Sequence, residues 1–188
     1  MNMLNSIIGA ANNVDVVLFY FINLNLQNPF FNYLMPIITN LGLSLFWIVL
    51  SIILIIFGGK KGRNVALILL IAIIIGFFLF DILKYLFMRP RPFMVLTGVH
   101  QLATAYNYSF PSGHATIAFI ACIILGKKYG HLILFILFAV LIAFSRVYIG
   151  VHYPGDVVAG ALLGVIISIF VLHFENDILK LKNRLVHR

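Results

Sequence analysis

VALILLIAIIIGFFLF, residues 65–80, contains no polar or charged side chain. Together with its flanks, this stretch reaches the ~20 residues that an α-helix needs to cross the hydrocarbon core of a bilayer. A soluble domain would have no interior large enough to bury several such stretches. The segment therefore predicts a membrane-spanning helix and decides the class of the fold.

Similar apolar stretches recur on both sides of this segment. Of the 188 residues, 63% are hydrophobic and only 10% are charged, and the mean hydropathy is +1.10. Residues 14–41 are also apolar but are interrupted, and we count them as one crossing, either a broken span or an interfacial helix followed by a span. The interruptions are Asn23, Asn25, Gln27, Asn28 and Pro29, and the other predicted spans are residues 43–57, 116–125, 132–144 and 157–174.

These spans predict an all-α, integral-membrane bundle of about six transmembrane helices, built as a single domain over residues 1–188. The single cysteine, Cys122, lies in an apolar run, so neither a disulfide framework nor a cysteine metal site is expected. The N-terminal segment lacks the basic start and the uninterrupted apolar core of a cleaved signal peptide. We therefore expect the chain to be retained whole.

The net charge of +8 follows the predicted topology and does not call for a nucleic-acid partner. Nine of the thirteen Lys and Arg residues fall in three segments that alternate along the chain and so share one side of the membrane. The positive-inside rule makes that side cytoplasmic and the protein a multi-pass protein of the cell membrane. The nine are Lys60, Lys61, Arg63, Lys127, Lys128, Lys180, Lys182, Arg184 and Arg188, and the other four, Lys84, Arg89, Arg91 and Arg146, lie toward the outer face.

Three polar segments gather on that outer face: KYLFMRPRP at 84–92, SFPSGHA at 109–115 and SRVYIGVHYPGD at 145–156. In the second, Ser112 is a good N-cap and Gly113 allows close backbone approach, so PSGH predicts a helix start whose free amides bind anions. In the third, a helix that begins near Pro154 places Asp156 in its first turn. The carboxylate then reaches back to the imidazole of His152 and leaves the other ring nitrogen free to attack.

Each of these features also has a structural interpretation. His152 and Asp156 can be a loop histidine beside a helix-capping aspartate, although the chain has only five acidic residues in total. Lys84 and Arg91 can extend toward the headgroups, as cations at helix ends often do. Arg146, on a span, is costly to bury without a partner, so a bound anion explains it better. Arg91 and Arg146 can each contact two oxygens of one phosphate.

In order and spacing, the three segments resemble the signature motifs K-x6-R-P, P-S-G-H and S-R-x5-H-x3-D of the type 2 phosphatidic acid phosphatase superfamily. Every fixed position is matched, and the doubled RPRP leaves Arg89 as a rival that the spacing excludes. The matching residues are Lys84, Arg91 and Pro92; Pro111, Ser112, Gly113 and His114; and Ser145, Arg146, His152 and Asp156.

The resemblance implies one site that dephosphorylates a lipid phosphate or diphosphate without a metal ion or another cofactor. It implies that His152 attacks phosphorus to form a phosphohistidine, that Asp156 orients His152, and that His114 protonates the departing lipid oxygen. The phosphoryl oxygens are then held by Lys84, Arg91, Ser112, the amide of Gly113 and Arg146.

Small bacterial members of this family include enzymes that convert undecaprenyl diphosphate to the monophosphate, and the chain resembles these in size, so this lipid is the first expected substrate. Phosphatidylglycerol phosphate and phosphatidic acid are the alternatives, because the motifs contact the phosphate and not the tail. A diphosphate carries more negative charge, and Arg89 is the expected fourth cation for it. The site is expected on the periplasmic or extracellular face.

Two other classes of function stay open. His114, His152 and Asp156 are compatible with an iron or zinc site, although three cations in the same place would repel a metal. Asp81 and Lys84 near the end of a span are compatible with a transporter or channel, but their spacing predicts a simple ion pair instead. The remaining histidines match no motif and are interpreted as loop or interfacial residues; they are His100, His131, His173 and His187.

Overall fold

The computed structural model describes residues 3–186, and over that range the protein has nine α-helices, one π-helical segment and no β-strand. The predicted all-α class is therefore confirmed. The elements are α1 (Met3–Tyr20), the π-helical segment (Phe21–Asn25), α2 (Pro29–Asn40), α3 (Ser44–Phe57), α4 (Gly59–Phe87), α5 (Pro92–Val95), α6 (Gly113–Tyr129), α7 (Leu132–Tyr148), α8 (Pro154–His173) and α9 (Glu175–Val186).

The N-terminal part differs from the single crossing expected over residues 14–41. The side chain of Asn28 accepts a hydrogen bond from the amide of Phe31, and Pro29 occupies the first turn, so a new helix begins there. This helix, α2, continues into α3 through a short break with a bend of 56°. The polar interruption thus separates α1 from a bent pair of helices and does not break one span in two.

The number of crossings is supported only in part. Among the described residues, the region from Gly59 to Val95 and helix α8 are long and apolar enough to cross a membrane, and the bent α2–α3 pair makes a third if it counts as one span. Helix α7 is apolar but has 17 residues. The count of six stays a prediction.

Helix α6 lies at the centre of the bundle and contacts α4, α7 and α8. Its neighbour α8 approaches closely because two glycines face it. A Cβ atom added at Gly160 would lie 2.4 Å from the carbonyl oxygen of Ser112, and one at Gly164 would lie 2.6 Å from that of Thr116. Small residues at this spacing bring helices together in membranes. The packing therefore fixes the start of α6 against the first turns of α8.

The basic residues of three separate segments meet at one end of the bundle. Lys128 forms an ion pair with Glu175, and Lys182 donates to the side chain of Asn64 at 2.6 Å. Lys61 lies over the ring of Tyr129, 4.8 Å from its centroid. Arg188 and His187 lie outside the described residues. The shared side predicted for the basic segments thus agrees with the structure.

The opposite end carries the long connection between α4 and α6, which the N-terminal region holds in place. Asn23, buried in the π-helical segment, donates to the carbonyl oxygens of His100 and Tyr148 at 2.9 and 2.8 Å. The amide of Ser109 donates to the carbonyl oxygen of Arg89 at 2.8 Å. Hydrogen bonds therefore join the beginning and the end of the connection to each other, and its middle to the π-helical segment.

Candidate active site

A cavity of about 410 Å³ opens at this end, and all three polar segments contribute to its wall. The α2–α3 bend, the side chains of Phe77 and Phe80 on α4, and residues 104–107 of the long connection complete the lining. The predicted site residues that line it are Lys84, Arg91, Gly113, His114, Arg146 and His152. Segments far apart in the chain are thus brought to one place.

His152 precedes α8 and is held by the first turn of that helix. Helix α8 begins at Pro154, as predicted, which places Asp156 in its first turn. The Nδ1 atom of His152 lies 3.3 Å from Oδ2 of Asp156. A proton on Nδ1 is the arrangement that satisfies this carboxylate, and it leaves a lone pair on Nε2.

The surroundings of His152 keep the imidazole neutral. The ring is 2% exposed. Burial, together with the positive charges of Arg91 and Arg146, lowers the pKa of His152 to about 3, although Asp156 acts in the opposite direction. At neutral pH Nε2 therefore carries a lone pair and no proton, which is the form of the ring that can attack an electrophile.

Asp156 is fully buried, and both of its carboxylate oxygens are occupied. Arg89 donates to Oδ1 at 2.7 Å, and the amide of Tyr153 donates to Oδ2 at 2.9 Å. The hydroxyl of Ser109 also donates to Oδ2 and lies 3.4 Å from Nδ1 of His152. The carboxylate therefore has one fixed orientation. The sequence did not predict that Ser109 and Arg89 bind Asp156, although each lies two residues before a position that matches a motif.

Arg91 is held by a full set of acceptors. Its Nε donates to the carbonyl oxygen of Asn107 at 2.6 Å, and its Nη2 donates to the side-chain oxygen of that residue and to the carbonyl oxygen of Tyr108. Its Nη1 donates to the carbonyl oxygen of Val151 and lies 3.2 Å from Nε2 of His152. All five N–H groups thus have a partner. Burial lowers the pKa of Arg91 to about 10, so the guanidinium is still charged at neutral pH.

Lys84 and Arg146 are buried cations without a carboxylate partner in the described part of the chain. Lys84 donates to the carbonyl oxygen of Tyr108 at 2.5 Å and not to Asp81, so the predicted ion pair is wrong. Arg146 donates to the hydroxyl of Thr39 at 2.7 Å, and its buried Nε has no acceptor among residues 3–186. With Arg91 they form a cluster of three cations that has no carboxylate counterion among residues 3–186, so this wall is a receptor for an anion.

The PSGH segment forms the start of α6, as predicted. The hydroxyl of Ser112 accepts a hydrogen bond from the amide of Ala115, and its own amide donates to the carbonyl oxygen of Asp156 at 2.9 Å. Ser112 is fully buried and does not line the cavity, whereas Gly113 and His114 do. The structure thus gives Ser112 the role of a helix cap, and its contact with a phosphate stays a prediction.

Arg89 does not line this cavity, so the expectation that it is a fourth substrate-binding cation has no support from the geometry. Its guanidinium forms ion pairs with Asp15 and Asp156 and faces a separate depression beside Tyr153. Burial opposes the charge, yet the two carboxylates raise the pKa of Arg89 above its ordinary value. The local sequence does not reveal this arrangement, because Asp15 is 74 residues away.

The predicted alternative of a metal site has no support from the geometry. No group of three or more His, Cys, Asp or Glu side chains suited to a metal ion occurs among the described residues. Nε2 of His152, the nitrogen that a metal would use, instead lies 3.2 Å from the guanidinium of Arg91. The donors around the cavity are thus suited to an anion.

Known proteins match this chain over most of its length. A sequence profile described as the PAP2 superfamily matches residues 65–180. The undecaprenyl-diphosphatase of Sulfolobus acidocaldarius is 37% identical over 175 residues, which cover 90% of this chain and 84% of that protein.

Two crystal structures are similar as well. Aquifex aeolicus LpxE has a TM-score of 0.76 at 34% identity and covers 85% of this chain and 95% of its own. A transmembrane PAP2 type phosphatidylglycerolphosphate phosphatase from Bacillus subtilis has a TM-score of 0.78 at 30% identity and covers 90% of this chain and 88% of its own. The similarity of fold thus extends over 85–90% of this chain.

Proposed function

The chain belongs to the PAP2 superfamily and is a membrane lipid phosphatase, and on that premise we propose that it hydrolyses undecaprenyl diphosphate to undecaprenyl phosphate and inorganic phosphate. The observation that carries the proposal is the cluster of Lys84, Arg91 and Arg146 around the imidazole of His152, without a carboxylate counterion among the described residues. The relative from Sulfolobus acidocaldarius supports the choice of lipid by its name.

The first chemical step forms a bond between Nε2 of His152 and the terminal phosphorus. The bond between that phosphorus and the bridging oxygen breaks, and His114 gives a proton to the departing undecaprenyl phosphate. Asp156 accepts the hydrogen bond from Nδ1 and stabilises the positive charge that develops on the ring. A phosphohistidine is left on the protein.

In the second step, water attacks the phosphohistidine. His114, now neutral, takes a proton from the water, and the bond between phosphorus and Nε2 breaks to release inorganic phosphate. In both steps, the cations and the amide of Gly113 neutralise the charge on the three non-bridging oxygens, which is the main demand of phosphoryl transfer. Neither step uses a metal ion, so a strong chelator should leave the rate unchanged.

We also propose that the active site faces the outside of the cell membrane in a single domain with six crossings. The basic residues at the other end of the bundle support this orientation. The lipid tail then stays in the bilayer while the headgroup enters the cavity beside Phe77 and Phe80.

Phosphatidylglycerol phosphate is the second candidate substrate. The similarity to the phosphatase from Bacillus subtilis, with a TM-score of 0.78, favours it. Phosphatidic acid remains a third, because the cavity residues described above contact a phosphate whatever tail it carries.

The deciding experiment compares kcat/KM for the three lipids in one detergent, with His152→Ala as the blank. Undecaprenyl diphosphate should give the highest value. If a glycerophospholipid exceeds it by more than about tenfold, the carrier-lipid proposal fails while the phosphatase stands. Release of phosphate by purified protein in detergent also separates an enzyme from a transporter, because transport breaks no bond.

A further inference from the structure

Two of the five acidic residues of the chain lie on one guanidinium behind the nucleophile. Arg89 Nη2 donates to Oδ2 of Asp15 at 2.6 Å, and Nη1 donates to Oδ1 of Asp156 at 2.7 Å. The side chains of Asp15, Arg89 and Asp156 are 12%, 23% and 0% exposed. Hydrogen-bonded ion pairs of such low exposure hold their geometry far better than pairs on an open surface.

Asp15 also contacts the start of α8 directly. Its Oδ1 accepts a hydrogen bond from the amide of Gly155 at 2.7 Å, so one carboxylate joins Arg89 to the first turn of the helix. The guanidinium of Arg89 lies over the ring of Tyr153, 3.9 Å from its centroid. Helix α1, which matches no motif, is thus linked to the segment that carries His152.

We infer that Arg89 and Asp15 are positioning residues for phosphoryl transfer, and that they act through Asp156 to hold the imidazole of His152 in its attacking orientation and tautomer. The inference rests on the proposed function. It makes α1 a part of the active site, although none of the described side chains of α1, residues 12–20, lines the cavity.

The two residues have different parts in this arrangement. Arg89 fixes Oδ1 and leaves Oδ2 as the only oxygen that faces His152. A lone arginine at 2.7 Å would also cancel much of the negative charge that Asp156 needs when the imidazole becomes positive. Asp15 neutralises part of the positive charge of Arg89, so Asp156 keeps more of its negative potential at His152.

A direct contact of Arg89 with a diphosphate is the competing interpretation, and the geometry opposes it. Arg89 is absent from the cavity wall and lies in a separate depression with Asn12, Val16 and Tyr153. An approaching diphosphate would also meet the carboxylate of Asp15, which lies 2.6 Å from the guanidinium.

The test measures kcat and KM with undecaprenyl diphosphate for Arg89→Ala, Arg89→Lys and Asp15→Asn in detergent. Arg89→Ala should lower kcat about 10- to 100-fold, as loss of a residue that orients a catalytic group typically does. The KM should stay within about threefold, because substrate contacts are intact. Asp15→Asn keeps an acceptor for Gly155 and should lose less. Asn13→Ala, an exposed change on the same helix, should have no effect.

A double substitution separates positioning from general destabilisation. In an Asp156→Asn background, Arg89→Ala should change the remaining kcat by less than about twofold, because its effect passes through the lost carboxylate. Arg89→Lys should restore part of the rate, since an ammonium reaches one of the two carboxylates. Thermal midpoints of all variants provide the control for folding.

The tautomer of His152 gives a readout that needs no turnover. In wild-type protein with isotope-labelled histidine, the nitrogen shifts of His152, assigned with His152→Gln, should show a proton on Nδ1 alone. Arg89→Ala should mix the two tautomers. An unchanged tautomer, a rise in KM at constant kcat, or a full additional loss in the Asp156→Asn background would each overturn the inference. A wild-type protein that releases no phosphate from any lipid would instead remove the proposed function.

Discussion

The imidazole of His114 lines the same cavity as the cations and is the proposed proton donor to the leaving group. His114→Ala should therefore slow hydrolysis of phosphatidic acid, whose alkoxide leaving group needs a proton, much more than hydrolysis of a nitrophenyl phosphate, whose leaving group departs without one. The measurement is the ratio of kcat/KM for the two substrates in wild type and variant. Equal losses would remove the general-acid role from His114, and His152→Ala should abolish both activities.

At the scale of single residues, the sequence predicted what lies within one segment. Asp156 follows His152 by one helical turn, so their contact at 3.3 Å could be inferred from spacing alone. The residues that the sequence did not assign, Asp15 and Thr39, act across 74 and 107 positions of the chain. Contacts of that kind depend on how helices pack, and no local pattern encodes them.

The contact between α6 and α8 sets the position of His114, at the start of α6, relative to His152 and Asp156, at the start of α8. Gly160→Ala would place a methyl group 2.4 Å from the carbonyl oxygen of Ser112, which is backbone and cannot rotate away. The helices must then separate at the level of Asp156, and we expect a lower thermal midpoint together with a lower kcat.

Leu162→Ala, on the exposed side of α8, is the control and should change both quantities far less. A Gly160→Ala protein with wild-type midpoint and wild-type rate would show that the helices have room to adjust.

At the scale of helices, caps were predictable and bends were not. Ser112 and Pro154 marked the starts of α6 and α8 correctly, because a cap depends on a few neighbouring residues. The 56° bend between α2 and α3 was missed, since both flanks are apolar and no local signal fixes the angle between them. This bend supplies part of the cavity wall, where irregular backbone at membrane depth is tolerated.

The orientation of the whole molecule can be tested with single cysteines in a Cys122→Ala background. Gly59 lies at the basic end of α4, and Gly98 lies in the long connection between α4 and α6. Both have a positive φ and open space around them, so each side chain would be accessible although its backbone is strained. An impermeant thiol reagent applied to whole cells should label Gly98→Cys and spare Gly59→Cys. The opposite pattern would invert the proposed topology.

The uncompensated cations have a consequence for the free energy of folding. Arg146 and its two cationic neighbours repel one another, and burial of Arg146 at 5% exposure adds a desolvation cost. The cation cluster thus lowers the free energy of unfolding, although it gives the site its affinity for phosphate. An anion that binds only the folded state should therefore raise the thermal midpoint. Orthovanadate should stabilise wild-type protein in a concentration-dependent way. Arg146→Gln should be inactive, should melt at a higher temperature than wild type without vanadate, and should be stabilised only weakly by it. These results would show that the anion that reacts at the site also stabilises the folded protein.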